Sequence, residues 1–276
     1  MKMNNILDSI GAPHLDKFIE LAELSPSARD EALAAVRYYR GSKQARSFMR
    51  GTQRLEKQWY SSLPKEPDYS VYSGTEILPD LWACWVVYSR EYLRIMQNPR
   101  TILNKDLQGY HSVVQEIGRP TTIADLGCGI GYTSAALTQM FPEAKVYATN
   151  LEGTAQFQVC KKMAEAYSFD LLPDVALLPQ IDCVFASEYF EHFEKPIAHL
   201  REVLATNPKY LILANAFSSR SLGHFKHYDI GGIWLDGHSV GRAFNDFLRS
   251  SGYEKVPTSC WNDRPTVWVK KPRYES

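Results

Sequence analysis

One stretch constrains this chain more than any other: Ile123-Ala-Asp-Leu-Gly-Cys-Gly-Ile-Gly-Tyr-Thr133, where a short apolar run enters three glycines at alternate positions. Glycine has no Cβ, so it takes left-handed backbone angles cheaply and lets a ligand approach the main chain. A helix starting at such a turn offers that ligand its unpaired N–H groups and the positive end of its dipole. The flanking residues predict a strand before the loop and a helix after it. A strand, a glycine loop and a helix in that order form half of a unit that binds its ligand at the carboxyl end of a parallel sheet.

The spacing of the glycines narrows the ligand. A dinucleotide loop reads G-x-G-x-x-G or A, which would require a small residue at 132 after Gly127 and Gly129. Tyr132 stands there, and the third glycine comes one residue earlier. Downstream, residues 134–141 and 153–167 predict helices with a strand at 145–149 between them. Ile181 to Ala186 predicts a buried strand, followed by Ser187-Glu-Tyr-Phe-Glu-His-Phe-Glu-Lys-Pro196. A helix near 197–205, a strand over 210–214, a helix near 240–251 and a last strand over 266–270 complete the pattern. Strands alternating with helices at this spacing imply an α/β fold around a parallel sheet.

The G-x-G-x-G loop, with Asp125 two residues ahead of Gly127, resembles motif I of the class I S-adenosylmethionine (SAM) dependent methyltransferases. Asp182, Val184, Glu191, His192 and Pro196 match that family's D-x-V-x-x-x-x-x-x-E-H segment and its following proline. The resemblance extends over residues 119 to 270. It implies a Rossmann-like seven-stranded methyltransferase sheet within 119–276 and SAM as cofactor. Residues 1–118 would form an N-terminal helical extension that covers the cofactor cleft or recognises substrate. By the same resemblance Gly127, Cys128, Gly129 and Gly131 lie along the methionine and ribose, and Asp125 orients the methionine amino group; a cap on the loop is the competing role for Asp125. The family places an acidic residue on the ribose at the end of the second strand. Here Asn150 stands there, with Leu151 beside it and Glu152 as substitute. Asn150 can accept from a hydroxyl but without the charge assistance of a carboxylate. Asp174, with Asp170 as rival, is the residue expected at adenine, and Glu188 completes the cofactor set.

Composition limits the setting. Acidic and basic residues balance at 31 each, and no apolar run approaches the roughly 18 residues of a membrane span. The first residues lack a long apolar secretory segment. The five cysteines contain no C-x-x-C pair, so neither a zinc site nor a disulfide framework is expected. A cytoplasmic protein is the expectation. Within the extension, helices are predicted over 13–22, 25–39, 80–96 and 105–117, the third with Leu81, Trp85, Tyr88 or Ser89, Tyr92 and Met96 on one stripe. Residues 61–75 read as a loop. Arg37, Arg40, Lys43, Arg46, Arg50, Arg54 and Lys57 recur at helical spacing with Tyr38, Tyr39, Phe48 and Trp59 interleaved. A phosphate-tracking, base-stacking surface would use such a stripe, as would an ordinary solvated helix face, and Gly41 and Gly51 weaken a continuous helix by about 1 kcal/mol each.

Methyl transfer needs alignment of the acceptor and exclusion of water, and a base only where the acceptor would stay protonated. Candidates for that base are His224, His192 and Glu188. His227, Tyr228 and Arg220, in the segment after the fifth strand, are the expected substrate contacts. No metal site is assigned; His224, His227, Asp229 and His238 have suitable ligand types, but nothing in the sequence fixes their geometry. The segment after strand four spells neither the proline-proline-aromatic motif of amino-methylating DNA enzymes nor a proline-cysteine pair for cytosine attack. The expected function is transfer of a methyl group from SAM to an O or N atom of an unidentified small or medium acceptor. An RNA- or DNA-directed methyltransferase using the basic stripe, and a catalytically silent binding or assembly protein, are the alternatives. The sequence leaves the oligomeric state open.

Overall fold

The computed structural model describes residues 43–63, 66–71, 117–257 and 265–272, with Lys17, Glu20, Leu21, Glu23, Ile95 and Val114 as separate positions. Helix α1 (Lys43–Ser62) precedes the sheet, whose first strands β1 (Thr122–Leu126), β2 (Lys145–Thr149) and β3 (Asp170–Leu172) alternate with helices α2 (Tyr132–Met140) and α3 (Ala155–Tyr167). After β4 (Cys183–Ser187) come α4 (Pro196–Ala205) and β5 (Tyr210–Ala214). A hairpin of β6 (His227–Ile230) and β7 (Ile233–Asp236) then leads into α5 (Gly237–Ser250), β8 (Tyr253–Val256) and β9 (Thr266–Lys270). The seven-stranded sheet has the order β3-β2-β1-β4-β5-β9-β8. Its first five strands run parallel, and β9 pairs antiparallel with β5 and β8.

The order of strands fixes where a ligand can sit. From β1 the chain builds outward through β2 and β3, then returns to the other side of β1 as β4. The carboxyl ends of β1 and β4 therefore flank the point where the direction of winding reverses, the crevice that open α/β sheets use for ligands.

Burial explains the sheet's place in the middle. In β1, Ile123 points into one core with Val146, Phe185 and Ile212, while Ala124 and Leu126 point into the other with Val184, Leu211, Leu213 and Trp268. Each central strand is apolar on both faces, as covered parallel strands must be. Each fully buried Val, Leu or Phe contributes about 1.5–3 kcal/mol.

Most predicted elements are present with small shifts at their ends. The strands expected at 145–149, 210–214 and 266–270 coincide with β2, β5 and β9. The strand expected from Ile181 starts at Cys183, because Asp182 turns its carboxylate onto the N–H and hydroxyl of Thr121 at 2.7 and 2.6 Å. Helix α3 starts after Thr154, whose hydroxyl accepts from Phe157 N–H at 3.1 Å. The hairpin and β8 were not anticipated. Gly231 and Gly232, with φ of 67° and 91°, make the two-residue turn between β6 and β7, a turn that requires positive φ at both positions.

Helix α1 runs unbroken through Gly51. The penalty for that glycine is outweighed by Leu55, Trp59 and Tyr60, which are at most 7% exposed. The helix predicted over 25–39 and most of those over 13–22, 80–96 and 105–117 lie outside the described residues, as do Arg37 and Arg40. Ile95, Val114 and Ile117 are nevertheless fully buried against Ile123 and Val146.

Candidate active site

The three glycines of the β1–α2 loop have different neighbours. All hold positive φ, at 65°, 58° and 95° for Gly127, Gly129 and Gly131. A Cβ on Gly127 would lie 2.5 Å from Cδ2 of Tyr189, and one on Gly131 would lie 2.9 Å from Cζ of Phe169 and 3.3 Å from Sγ of Cys160. A Cβ on Gly129 would meet no atom within 4 Å. Two of the glycines thus admit protein side chains, and the third faces open space.

Hydrogen bonds anchor this loop to its neighbours. Gly127 N–H donates to Thr149 Oγ1 at 3.2 Å, and Cys128 N–H to Thr149 O at 3.0 Å. Asn150 Nδ2 donates to Gly129 O at 2.5 Å, while its Oδ1 accepts from Leu151 N–H at 2.7 Å. Asp125 is 1% exposed and accepts from the hydroxyls of Thr133 and Ser134 at 2.5 and 2.6 Å, at the start of α2. The N–H groups of Gly129 and Ile130 make no hydrogen bond among the described residues. Cys128 lies beneath the loop with its sulfur 3.5 Å from that of Cys160.

A second group of residues gathers where β4 and β5 end. Glu188 follows β4 with φ of 52°, a left-handed conformation that a non-glycine residue keeps only under constraint. A 3-10 turn over Phe190–His192 comes next. Glu188 precedes this turn and Glu191 lies within it, and their carboxylates approach each other. His224, from the segment after β5, joins them, and the ligand-capable atoms of the three all lie within 4.8 Å of one another. Glu191 is fully buried; Oε1 accepts from Ala216 N–H at 2.7 Å, and Oε2 has no hydrogen-bond partner. Burial and, secondarily, the negative charge of Glu188 push Glu191 up to about 8.

The two histidines are held neutral. Burial, aided by the nearby His224 ring, brings His192 down to about 3; the two rings meet edge to face at 4.8 Å. Burial also lowers His224, whose Nδ1 lies 3.0 Å from Ser219 O. Helix α1 pins this segment: Trp59 Nε1 donates to His224 O at 2.7 Å, and Tyr60 OH to Ser221 O at 3.1 Å.

Tyr189 joins the two groups. Its ring covers Gly127, and its hydroxyl lies 2.8 Å from His199 Nε2 on α4. Burial raises the Tyr189 hydroxyl far above its usual range.

The comparisons with known proteins bear on this arrangement. A family model described as a methyltransferase domain matches residues 124–205, from β1 to the end of α4. The matched span therefore resembles a methyltransferase domain. Among solved structures, a candidate O-methyltransferase from Nostoc punctiforme superposes with a TM-score of 0.51 at 14% identity, covering 83% of this chain and 74% of that one. The mitomycin 7-O-methyltransferase MmcR gives 0.46 at 13% identity, with 86% and 70% covered. Magnesium protoporphyrin IX methyltransferase from Synechocystis, solved with bound SAM, gives 0.40 at 17% identity, with 66% and 90% covered. No curated protein matches the sequence.

A methyltransferase domain implies SAM as its methyl donor, and the residues present fit that cofactor. Gly129 offers an open main-chain face with N–H donors beside it, and Leu151, just beyond β2, is 54% exposed. Asp174 is exposed beyond the carboxyl end of β3, where it caps the 3-10 turn Val175–Leu177 through Ala176 N–H at 2.8 Å. Its rival Asp170 begins β3 at the opposite end and pairs with Lys145 at 2.8 Å. A depression of about 520 Å³ lies beside Asp170, lined by Lys145, Glu165, Ser168 and Phe169, away from the glycine loop.

The residues predicted to meet substrate diverge. Tyr228 is fully buried, its hydroxyl 3.3 Å from Glu191 O and 3.4 Å from Phe217 O, so it supports the segment from within. His227 is exposed on the hairpin, across from Asp236, and is not brought to His224. Arg220 is exposed and lies over the ring of Tyr60 at 4.6 Å. His238 is exposed at the start of α5, and Asp229 accepts from Gly232 N–H at 2.6 Å. The residue that sequence reasoning missed is Glu191, matched there to a family motif without a chemical role. Sequence spacing carries no signal for it, because Glu188 lies outside the 3-10 turn and has a left-handed backbone.

Proposed function

We propose that this enzyme methylates an oxygen atom of a small or medium acceptor held over the carboxyl ends of β4 and β5. The observation that carries the reading is the Glu188, Glu191 and His224 cluster on the acceptor side of the switch point, beside the glycine loop. SAM, when bound, supplies an activated methyl group. The chain's own residues then have three tasks. Gly129, Asn150 and Leu151 receive the donor. The carboxylate and imidazole cluster orients the acceptor oxygen and removes its proton, which a hydroxyl acceptor requires and an amine does not. Helix α1, through Trp59 and Tyr60, holds the segment that carries His224 and shuts out water from that side.

A nucleic-acid acceptor finds little support. Arg54 and Lys57 are exposed on α1, but Trp59, one of the aromatics interleaved with the stripe, is fully buried and bonded to the His224 carbonyl. A buried ring cannot stack on a base. The division at residue 118 belongs to the same proposal, with the segment before it forming the acceptor wall.

The test is calorimetric titration with S-adenosylhomocysteine, followed by a screen of hydroxylated and aminated small molecules with methyl-labelled SAM. Binding of the homocysteine product and labelling of a hydroxyl compound is the expected result. Labelling of amines alone would overturn the oxygen assignment, and labelling of RNA or DNA alone would overturn the acceptor class.

A further inference from the structure

We propose that Glu188, Glu191 and His224 bind one divalent cation of the Mn²⁺ or Mg²⁺ type. Two carboxylates and one imidazole converge from separate loops, with their ligand-capable atoms all within 4.8 Å of one another. Oxygen and nitrogen ligands about 2.1 Å from an octahedral ion are separated by about 3.0–4.2 Å, so the site closes on a cation with small side-chain movement. The donor set is hard, which suits Mn²⁺ and Mg²⁺ better than a thiolate site would.

A second observation points to a ligand. Glu191 Oε2 is buried and has no hydrogen-bond partner, although the opposite oxygen takes Ala216 N–H at 2.7 Å. An unsatisfied buried carboxylate oxygen is costly, and a cation in front of it removes that cost. The surroundings also hold the ligands in place. Ser219 O lies 3.0 Å from His224 Nδ1; a proton kept there leaves the Nε2 lone pair for a metal, the arrangement by which a backbone carbonyl orients a ligating histidine. Trp59 fixes the His224 main chain from the far side. Glu188 is exposed, so the outward coordination positions open toward solvent and an incoming ligand.

The position of the site says what the cation does. It lies at the carboxyl ends of β4 and β5, next to the glycine loop across Tyr189. There the open positions take oxygen atoms of the acceptor, and the cation, in place of a carboxylate, holds the acceptor oxygen. This last step rests on the methyl-transfer reading, whereas the cation site itself does not.

The full chain, stripped of metal by chelation, is titrated with Mn²⁺ and free Mn²⁺ is followed by electron paramagnetic resonance. One site per chain is expected. Glu191→Gln and His224→Asn should each weaken it at least about tenfold, and Glu188→Gln, at an exposed position that tolerates change, should do the same with the circular dichroism spectrum intact. Glu254→Gln, at an exposed position on the edge strand β8, should bind as the parent does. Binding no tighter in the parent than in Glu188→Gln overturns the proposal and leaves a proton shared between the two carboxylates. S-Adenosylhomocysteine binding is measured on the same samples. Its loss with Mn²⁺ binding retained would remove the methyl-transfer reading alone, and the reverse would remove the cation site alone.

Discussion

Substituting alanine at Gly129 and at Gly131 separates cofactor contact from packing within a single loop. At Gly129 a Cβ meets nothing within 4 Å, so the fold bears only the cost of placing a non-glycine residue at φ 58°. That cost is about 1 kcal/mol, or about 2–4 °C in melting temperature for a chain of this size. A cofactor resting on the main chain would meet the new methyl group directly. Overpacking of that kind costs about 1–3 kcal/mol, which weakens binding about five- to 150-fold. At Gly131 the new atom lies 2.9 Å from Phe169 Cζ and 3.3 Å from Met163 Cβ, and the penalty falls on the contact of α2 with α3 and β3. Gly131→Ala should therefore lose the overpacking energy in addition to the backbone cost, about 2–4 kcal/mol in all. Thermal melting gives the stability of each variant and calorimetry with S-adenosylhomocysteine gives the affinity. Expected are a near-normal melt with weak binding for Gly129→Ala, a low melt for Gly131→Ala, and no measurable binding for the branched Gly129→Val. Unchanged affinity in Gly129→Ala would refute the assignment of the open face to the cofactor.

Other substitutions follow from single contacts. Trp59→Phe keeps the ring but leaves the buried His224 carbonyl unpaired, and should cost about 1–3 kcal/mol while lowering turnover more than S-adenosylhomocysteine affinity; equal loss of both would mean that α1 braces the whole domain. Thr133→Val takes one of two hydroxyl donors from the buried Asp125, with an expected loss of about 1–3 kcal/mol by denaturant unfolding. Asn150→Asp, which the ribose assignment predicts to be neutral or favourable for binding, instead places an oxygen against Gly129 O where Nδ2 now donates; the expected result is a weaker cofactor grip, and tighter binding would show that the ribose contact dominates. His199 is lowered by burial, so below about pH 6.5 the unfolded chain takes up a proton that the folded chain refuses. Stability is thus lost as pH falls below that point, and His199→Gln should make the decline shallower; an unchanged slope would exclude His199 as a source.

The fold was legible because its signals are local and periodic. Apolar strands, a glycine loop and amphipathic helices repeat at short spacing, and each names its element without reference to the others. The site was only partly legible. Gly129 and Gly131 look alike in sequence, and only the packing of Phe169 and Cys160 tells them apart. Tyr228 and His227 are adjacent, yet strand alternation buries one and exposes the other. His224 was named as a base from its type, but its partners Glu188 and Glu191 come from the far side of α4 and β5. A contact between separate loops leaves no mark in sequence spacing.

Donor and acceptor sides are linked by one short stretch of chain. Glu188 belongs to the cluster with Glu191 and His224, and the next residue, Tyr189, covers Gly127 in the glycine loop. Tyr189 is held in turn by His199 on α4 and by Thr149 at the end of β2, the same residue that anchors Gly127 and Cys128. A shift of Glu188 toward a ligand on the acceptor side therefore moves the ring against the glycine loop. Linkage requires the effect to be reciprocal: if a cation at Glu188 tightens cofactor binding, the cofactor tightens the cation by the same factor. The β4 tip thus joins the Glu188, Glu191 and His224 cluster to the glycine loop through the contact of Tyr189 with Gly127.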